Sequence, residues 1–193
     1  CGGDTIESTI HEAIAEVRAS MSALEGKAAL ITGGARRVGA AICRRMHAQG
    51  ANIMIHHRAS VAEARALQHE LNAMRAGSVA LIRADLLNAS LPDVVKTTIN
   101  EFGSLDVLVN NASSFFPTAL GDITEKAWDD LIGTNLKAPL FLAQAAAPEL
   151  RRRRGCIVNI VDIHADLPMK DYVVYTVAKA GLAALTDRKS TRL

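Results

Sequence analysis

Short apolar runs alternate with longer amphipathic stretches along the chain from Lys27 onward. The short runs have the length and composition of buried strands, and the stretches between them repeat apolar residues at helical spacing. The helix at 123–150 is expected to break near Gly133 or Pro139. This alternation predicts right-handed βαβ units in a single α/β domain with a doubly wound parallel sheet. Strands are predicted at 27–32, 52–57, 78–83, 105–110 and 155–161, and helices at 37–49, 60–75, 89–102, 123–150 and 172–187.

The start of the chain predicts a helix that is separate from this domain. Asp4 and Glu7 have the spacing of a capping box, and apolar residues follow them at helical intervals. We therefore expect an N-terminal helical extension over 1–22 and the domain itself over 23–187. No function is assigned to the extension.

The first predicted strand ends in a glycine turn, and a helix follows it. Backbone N–H groups at such a helix start can hold a pyrophosphate, so the turn is a candidate dinucleotide site. Gly33 allows the tight turn, and Gly39 allows the helix to pack close to the strand. Arg37 occupies the place of the middle glycine of the usual fingerprint, and Val38 begins the apolar face of the helix. An ordinary strand-to-helix turn is the alternative interpretation.

The second predicted strand ends at His57 and Arg58, where dinucleotide-binding proteins distinguish NAD from NADP. An acidic residue here would bind the ribose hydroxyls of NAD, but this strand and the residues after it contain none. Arg58 favours the 2′-phosphate of NADP, and Arg37 could reach that phosphate or the pyrophosphate. The adjacent His56 and His57 do not predict a metal site, because neighbours on a strand point to opposite faces.

The third and fourth predicted strands end in residues that leave room for a ligand. Asp85 and Leu86 follow the third strand, where a carboxylate and adjacent backbone could contact the adenine. Asn111, Ala112 and Ser113 follow the fourth strand, and small or amide residues there expose backbone to a bound molecule. These five residues complete the candidate cofactor site.

Two further features predict substrate binding and proton transfer. Phe115 stands beyond the fourth strand, where its ring either stacks on a flat substrate or packs the following loop. Tyr175 and Lys179 lie one helical turn apart on the same face. A nearby ammonium and a nicotinamide cation favour the phenolate, so we expect the pKa of Tyr175 to be lowered towards the working pH.

The chain contains, in this order, Thr32-Gly33…Gly39, Asp85-Leu86, Asn110-Asn111-Ala112, Asn135 and Tyr175…Lys179. In order and spacing these features resemble the short-chain dehydrogenase/reductase family, from about Leu24 to about Thr186. The resemblance implies a Rossmann-like oxidoreductase. It further implies that Tyr175 is the catalytic acid, that Lys179 holds the ribose and tunes Tyr175, and that Asn135 supports a proton-relay water.

One departure from the family pattern indicates a particular branch. The usual catalytic serine would fall at position 162, where this chain has aspartate. The segment that ends at Asp162 is similar to the pteridine reductase branch. That branch also has arginine at the place of Arg37, a His-Arg pair matching His57-Arg58, and a tyrosine matching Tyr172. It shares Asn-Asn-Ala-Ser-Ser-Phe followed by an aromatic residue and Pro-Thr.

This resemblance implies NADPH-dependent reduction of dihydropterins, with dihydrofolate as a further substrate. A dihydropterin presents a C=N bond, so a nitrogen must gain a proton as hydride reaches carbon, and a protonated carboxyl could supply it. We expect Asp162 and Tyr175 to form this relay. Phe115 would stack on the pterin, Ser113 would hydrogen-bond the pterin or the cofactor, and Tyr172 would line the substrate site. The alternatives are a generic carbonyl (ketone or 3-oxoacyl) reductase, and an inactive fragment or non-catalytic NADP-binding protein.

Charge and cysteine content narrow the function further. The formal net charge is +2, and the basic run 151–154 closes a predicted helix, so neither nucleic-acid nor membrane partners are expected. Three widely spaced cysteines favour free thiols in the cytoplasm.

Members of the family continue beyond the tyrosine helix and commonly form tetramers through helices near 135–150 and 172–187. The tail 188–193 differs from that continuation, so we expect a C-terminally incomplete, less stable and inactive chain.

Overall fold

The computed structural model describes residues 23–186, and in this part of the chain five parallel strands form one sheet. Their order across the sheet is β3-β2-β1-β4-β5, so the winding reverses between β1 and β4. This order confirms the predicted doubly wound α/β fold, and it places the ligand-binding crevice at the carboxyl ends of β1 and β4. The predicted extension at 1–22 and tail at 188–193 lie outside the described residues. The strands are β1 (Ala28–Ile31), β2 (Asn52–His57), β3 (Val79–Arg83), β4 (Val107–Asn110) and β5 (Cys156–Asn159).

The helices agree with the sequence prediction apart from small differences at their ends. The predicted break in the helix at 123–150 is a π-helical segment, Gly133–Lys137, which joins two α-helices without interruption. Pro139 lies in the first turn of the second of these helices. None of the helices between residues 23 and 186 has both the length and the apolar composition that crossing a bilayer requires. The helices are α1 (Arg37–Ala48), α2 (Val61–Met74), α3 (Leu91–Phe102), α4 (Glu125–Ile132), α5 (Ala138–Arg153) and α6 (Val173–Thr186).

Apolar layers cover both faces of the sheet. Ala29 and Ile31 of β1 pack with α1 and α2, whereas Leu30 packs with α3 and α5. Because β1 lies in the centre of the sheet, its four residues are apolar and at most 1% exposed. The rigid carboxyl ends of these strands support the loops that form the site.

A buried carboxylate organises the opposite, amino end of the sheet. Asp106, 2% exposed, accepts hydrogen bonds from Lys27 Nζ (3.1 Å), Arg153 Nε (3.0 Å) and the backbone N–H of Ala28 (3.0 Å). Ser104 Oγ adds a further bond at 3.0 Å. Burial raises the pKa of Asp106, but these donors outweigh burial and the net shift is downwards. The basic run at the end of α5 therefore does more than face solvent, because Arg153 neutralises this carboxylate.

Candidate active site

The turn after β1 is held by Thr32, which is 1% exposed. Its Oγ1 accepts hydrogen bonds from the backbone N–H groups of Asn111 (2.9 Å) and Ala112 (3.0 Å), and donates to the Val109 carbonyl (3.2 Å). The side-chain amide of Asn111 donates to the carbonyl oxygens of Thr32 and Gly33. These bonds join the ends of β1 and β4, so Asn111 fixes the shape of the turn.

Gly33 and Gly39 allow the turn after β1 to pack closely against the loop after β4. Gly33 has a φ of +62°, and a Cβ on it would lie 2.9 Å from the Cα of Ala112. A Cβ on Gly39 would collide with the carbonyl oxygen of Gly33 and lie 2.6 Å from Asn111 Nδ2. The turn therefore requires glycine at both positions, and a strand, turn and helix start of this kind fit a dinucleotide.

Arg37 adopts a φ of +49°, in the left-handed region that favours glycine. A long cationic side chain therefore stands at a backbone conformation that suits glycine better. This conformation costs about 1 kcal/mol for a residue with a Cβ. Backbone strain of this kind is concentrated at functional sites, where the surrounding structure holds it in place.

Two cavities collect the residues that were predicted to hold the cofactor. A cavity of about 380 Å³ over the turn is lined by Gly33, Arg37, Val38, Gly39, His57, Arg58, Asn111, Ala112 and Ser113, among others. A second cavity of about 140 Å³, at the ends of β2 and β3, adds Asp85, Leu86, His56 and Thr134. The carboxylate of Asp85 accepts hydrogen bonds from the Leu87 N–H and from Asn88 Nδ2, both at 3.2 Å. Asp85 thus shapes its own loop at the wall of this cavity.

His56 connects the glycine turn to the end of β3. The backbone N–H of Gly33 donates to His56 Nδ1 at 3.1 Å, so Nε2 carries the proton and donates to the Ala84 carbonyl at 3.1 Å. Burial lowers the pKa of His56 to about 4, which keeps the ring neutral at physiological pH. His57 lines the cavity over the glycine turn, and its Nδ1 is buried without a hydrogen-bond partner among the described residues.

The π-helical segment holds Asn135 against the loop after β4. Asn135 is 1% exposed, and its Oδ1 accepts a hydrogen bond from Ser113 Oγ at 2.6 Å. Its Nδ2 donates to the carbonyl oxygens of Ser114 and Leu131, both at 2.9 Å. One amide hydrogen therefore fixes the loop and the other binds the end of α4, and the proton-relay water at Asn135 stays a prediction.

Asp162 and Tyr175 meet beyond the carboxyl end of β5. The Tyr175 hydroxyl donates to Asp162 Oδ2 at 2.8 Å, and the backbone N–H of His164 donates to Oδ1 at 3.0 Å. Lys179 Nζ lies 5.7 Å from the centre of the Tyr175 ring and donates to the Ile160 carbonyl at 2.9 Å. Tyr175 and Lys179 are each 4% exposed. The structure thus brings together Asp162, Tyr175 and Lys179, three of the four side chains that were predicted to carry the chemistry.

The charges on this pair differ from the sequence prediction. The pKa of Asp162 is lowered, first by the His164 N–H and also by the hydrogen bond from Tyr175. The pKa of Tyr175 is raised, chiefly by burial and then by Asp162. For the protein groups alone, Asp162 carries the negative charge and Tyr175 keeps the proton, opposite to the predicted protonated Asp162 and lowered phenol pKa. The effect of a nicotinamide cation on the pKa of Tyr175 stays a prediction.

Two further aromatic rings, those of Phe115 and Tyr172, lie beside this pair. Phe115 stacks on Tyr172 with ring centres 4.6 Å apart and planes at 18°, and it meets Tyr175 edge-on at 4.8 Å. Phe115 nevertheless remains 54% exposed. Its ring therefore packs within the protein on one side and still offers surface to a flat molecule.

Three residues with clear structural roles had none assigned from the sequence. Thr32 fixes the glycine turn, His56 connects that turn to β3, and Thr118 contacts the start of α6. For Thr32 and His56, a hydroxyl or an imidazole at the end of an apolar strand was the available signal, and Thr118 had none. The partners lie 20 or more positions away, so spacing could not identify them.

Comparisons with known proteins identify the family of this chain. The model of the short chain dehydrogenase family matches residues 27–192. The chain is 36% identical to pteridine reductase 1 of Leishmania tarentolae, over 86% of this chain and 71% of that protein. It is 34% identical to the 3-oxoacyl-acyl-carrier-protein reductase FabG of Staphylococcus aureus, over 86% and 68%. It is 37% identical to the D-xylose 1-dehydrogenase of Caulobacter vibrioides, over 84% and 64%. The chain therefore belongs to the short-chain dehydrogenase family of oxidoreductases.

Proposed function

We propose that this protein reduces dihydropterins with NADPH, and that dihydrofolate is a further substrate. The observation that carries the proposal is the hydrogen bond from Tyr175 to the carboxylate of Asp162. A pterin ring has N–H and amino groups that can donate hydrogen bonds to a carboxylate, whereas a ketone has only an oxygen that accepts them. An ionised carboxylate beside the phenol therefore suits a pterin better than a ketone. The similarity to pteridine reductase 1 supports the same substrate class.

NADPH, when bound, supplies the hydride that reaches the substrate carbon. The backbone at Gly33 and Gly39 would hold its pyrophosphate, since only glycine fits there. Arg37 and Arg58 line the cavity over this turn and would bind its 2′-phosphate. Lys179 would contact the nicotinamide ribose.

In this proposal Tyr175 donates the proton, and Asp162 orients the hydroxyl that donates it. Because the pKa of Tyr175 is raised, the phenol keeps its hydrogen at physiological pH and can give it to a substrate nitrogen. Asp162 orients that hydroxyl and is free to accept a substrate N–H. The Lys179 ammonium stabilises the phenolate that remains after transfer. Ser113 and the exposed ring of Phe115 would bind the edge and the face of the pterin.

The substrate is tested by NADPH oxidation with dihydrobiopterin, dihydrofolate and a 3-oxoacyl ester side by side. We expect turnover with the pterin and not with the ester. Asp162→Ser should lower kcat for the pterin by roughly 10²- to 10⁴-fold and leave NADPH binding unchanged. Asp166→Ser, at an exposed aspartate of the same loop, is the matched control and should keep wild-type kcat. Full pterin activity in Asp162→Ser would refute the proposal.

Cofactor choice has its own test. Arg58→Ala removes a cation beside the cavity, so we expect NADPH affinity to fall by about tenfold with NADH affinity unchanged. Titration of protein fluorescence with each cofactor measures both. Equal losses for the two cofactors would show that Arg58 does not read the 2′-phosphate.

A second candidate function, carbonyl reduction, is supported by the similarity to the FabG reductase at nearly the same identity. It predicts that the ester arm gives turnover and that Asp162→Ser raises it, because serine supplies a neutral donor to a carbonyl oxygen. NADPH binding without turnover in any arm would instead favour the non-catalytic alternative.

We also propose that the chain forms a homo-oligomer through α5 and α6. Leu140, Phe141 and Val177 on these helices are each more than 40% exposed, although they are apolar. Light scattering coupled to gel filtration measures the mass, and Phe141→Glu should reduce it. A monomeric mass for the wild type would contradict this assembly.

A further inference from the structure

Thr118 joins the loop after β4 to the first turn of α6. Its backbone N–H donates to the Asp171 carbonyl at 2.6 Å, and its Oγ1 accepts a hydrogen bond from the Val174 N–H at 3.2 Å. Residues 118 and 172 also form an isolated parallel bridge. Thr118 is 4% exposed and Val174 is 1% exposed, so water does not substitute for either contact. A residue 56 positions upstream therefore supplies the side-chain cap of this helix.

The same loop is fixed at its other end to the π-helical segment. Ser113 donates to Asn135 at 2.6 Å, and the Ser114 carbonyl accepts from the same amide at 2.9 Å. Between these ends Phe115 stacks on Tyr172. The loop 113–118, here called the β4 loop, thus connects the wall of the cofactor cavity to the start of α6.

The position of this cap matters because Tyr175 directly follows Val174. The phenol must lie within hydrogen-bond distance of Asp162, which belongs to the separate segment after β5. Asp171, whose carbonyl receives the Thr118 N–H, has a φ of +63°, so the chain enters α6 through a backbone conformation that few residues adopt. Thr118 bonds on both sides of Tyr172 and Val173, and it thereby fixes the direction in which the helix begins.

We propose that Thr118 is a positioning residue for the catalytic tyrosine, and that its hydroxyl sets the distance between Tyr175 and Asp162 by capping α6. This inference rests on the proposed role of Tyr175 in proton transfer. Thr118 does not touch the reacting atoms. Its effect is therefore expected in kcat and in the mobility of the first turn of α6, with little change in NADPH affinity.

Three variants test this role. Thr118→Val keeps the shape of the side chain and removes the acceptor, whereas Thr118→Ser keeps the acceptor. Thr124→Val is the matched control, because Thr124 Oγ1 also accepts a backbone N–H at 3.2 Å, from Ala127 at the start of α4. Among the described residues, no hydrogen bond joins Thr124 to Asp162 or Tyr175.

We expect Thr118→Val to lower kcat by about tenfold to a hundredfold, with the dissociation constant of NADPH unchanged within about twofold. Hydrogen exchange of the amides at 173–176, measured without cofactor, should become at least about tenfold faster, since their protection depends on local opening. Thr118→Ser should restore both values. Thr124→Val should lower Tm by about 3 °C and leave kcat and exchange at 173–176 unchanged.

The exchange measurement separates this inference from the proposed function. If no substrate is turned over, faster exchange in Thr118→Val alone still supports the cap, although the proposed reaction fails. Unchanged exchange, or a loss of kcat that Thr118→Ser does not restore, would overturn the positioning role. Should Thr118→Val fail to fold, Thr118→Ala repeats the comparison, because its smaller side chain lets water reach the Val174 N–H.

Discussion

Two aspartates at opposite ends of the sheet carry negative charge for different purposes. At the amino end, Asp106 is held by two cations, a hydroxyl and a backbone N–H. At the carboxyl end, Asp162 accepts from one backbone N–H and from the phenol of Tyr175. The first carboxylate is neutralised by fixed partners, whereas the second is bonded to a group that can lose its proton. The amino end is therefore built for stability and the carboxyl end for chemistry.

Unpaired polar groups also lie at the carboxyl end. His57 Nδ1 and Asn110 Oδ1, at the carboxyl ends of β2 and β4, are buried without a hydrogen-bond partner in the part of the chain that the structure describes. Arg37 has its positive φ at this end, although Arg154, beside the Asp106 network, has a φ of +54° at the other. Unpaired buried groups and backbone strain both cost stability, and those near the glycine turn lie where a ligand could use them.

Asp162→Asn should give the largest effect on activity. The amide keeps the shape of the side chain but removes the charge that orients the phenol, so we expect kcat to fall by roughly 10²- to 10³-fold. The free energy of unfolding should change by less than about 1 kcal/mol, because Asp162 is not neutralised by fixed cations. Steady-state kinetics and urea denaturation measure the two quantities. A large loss of stability would show that Asp162 belongs to the scaffold.

Asp106→Asn should show the reverse pattern. It leaves Lys27 and Arg153 without their buried counter-ion, so the free energy of unfolding should fall by about 3 kcal/mol. We expect kcat of the folded variant to stay near the wild-type value, since this network lies at the far end of the sheet. Urea denaturation and kinetics below the transition measure both. An equal loss of kcat would contradict the separation of the two ends.

His56→Gln should change how stability depends on pH. The folded protein keeps His56 neutral, with a pKa of about 4, so below pH 6.5 the unfolded chain binds the additional proton. The stability that neutral His56 contributes is complete above pH 6.5 and is lost as the pH falls through about 4. The loss in the free energy of unfolding is on the order of 3 kcal/mol. Thermal unfolding between pH 7 and 4 should show a shallower decline in His56→Gln than in the wild type. The exposed His69→Gln serves as control and should keep the wild-type decline.

The smallest effect is expected from Arg37. Arg37→Gly and Arg37→Ala both remove the cation and should weaken NADPH binding equally. Only glycine relieves the φ of +49°, so Arg37→Gly should be more stable than Arg37→Ala by about 1 kcal/mol. Cofactor titration and urea denaturation measure these differences. Equal stability of the two variants would show that Arg37 is not strained.

Much of the fold followed from local pattern. The positions of the fully apolar β1 and of the amphipathic helices could be predicted from the sequence. Burial on one or both faces of an element fixes the spacing of its apolar residues. The break near Gly133 was expected, but its form as a π-helical segment was not. The helices on its two sides, α4 and α5, have the same helical period, so apolar spacing does not reveal the segment between them. Arg153 was interpreted as a solvated charge because its partner, Asp106, lies 47 positions away.

The family resemblance placed Asp162 beside Tyr175. The sequence by itself determined the succession of strands and helices, the glycine turn, and the spacing of Tyr175 and Lys179. It did so because backbone geometry and apolar periodicity are local properties. Only the tertiary structure decided that Asp162 is ionised and Tyr175 protonated, and that Thr118 caps α6. Those outcomes depend on burial and on donors from distant segments, and neither is encoded in residue spacing.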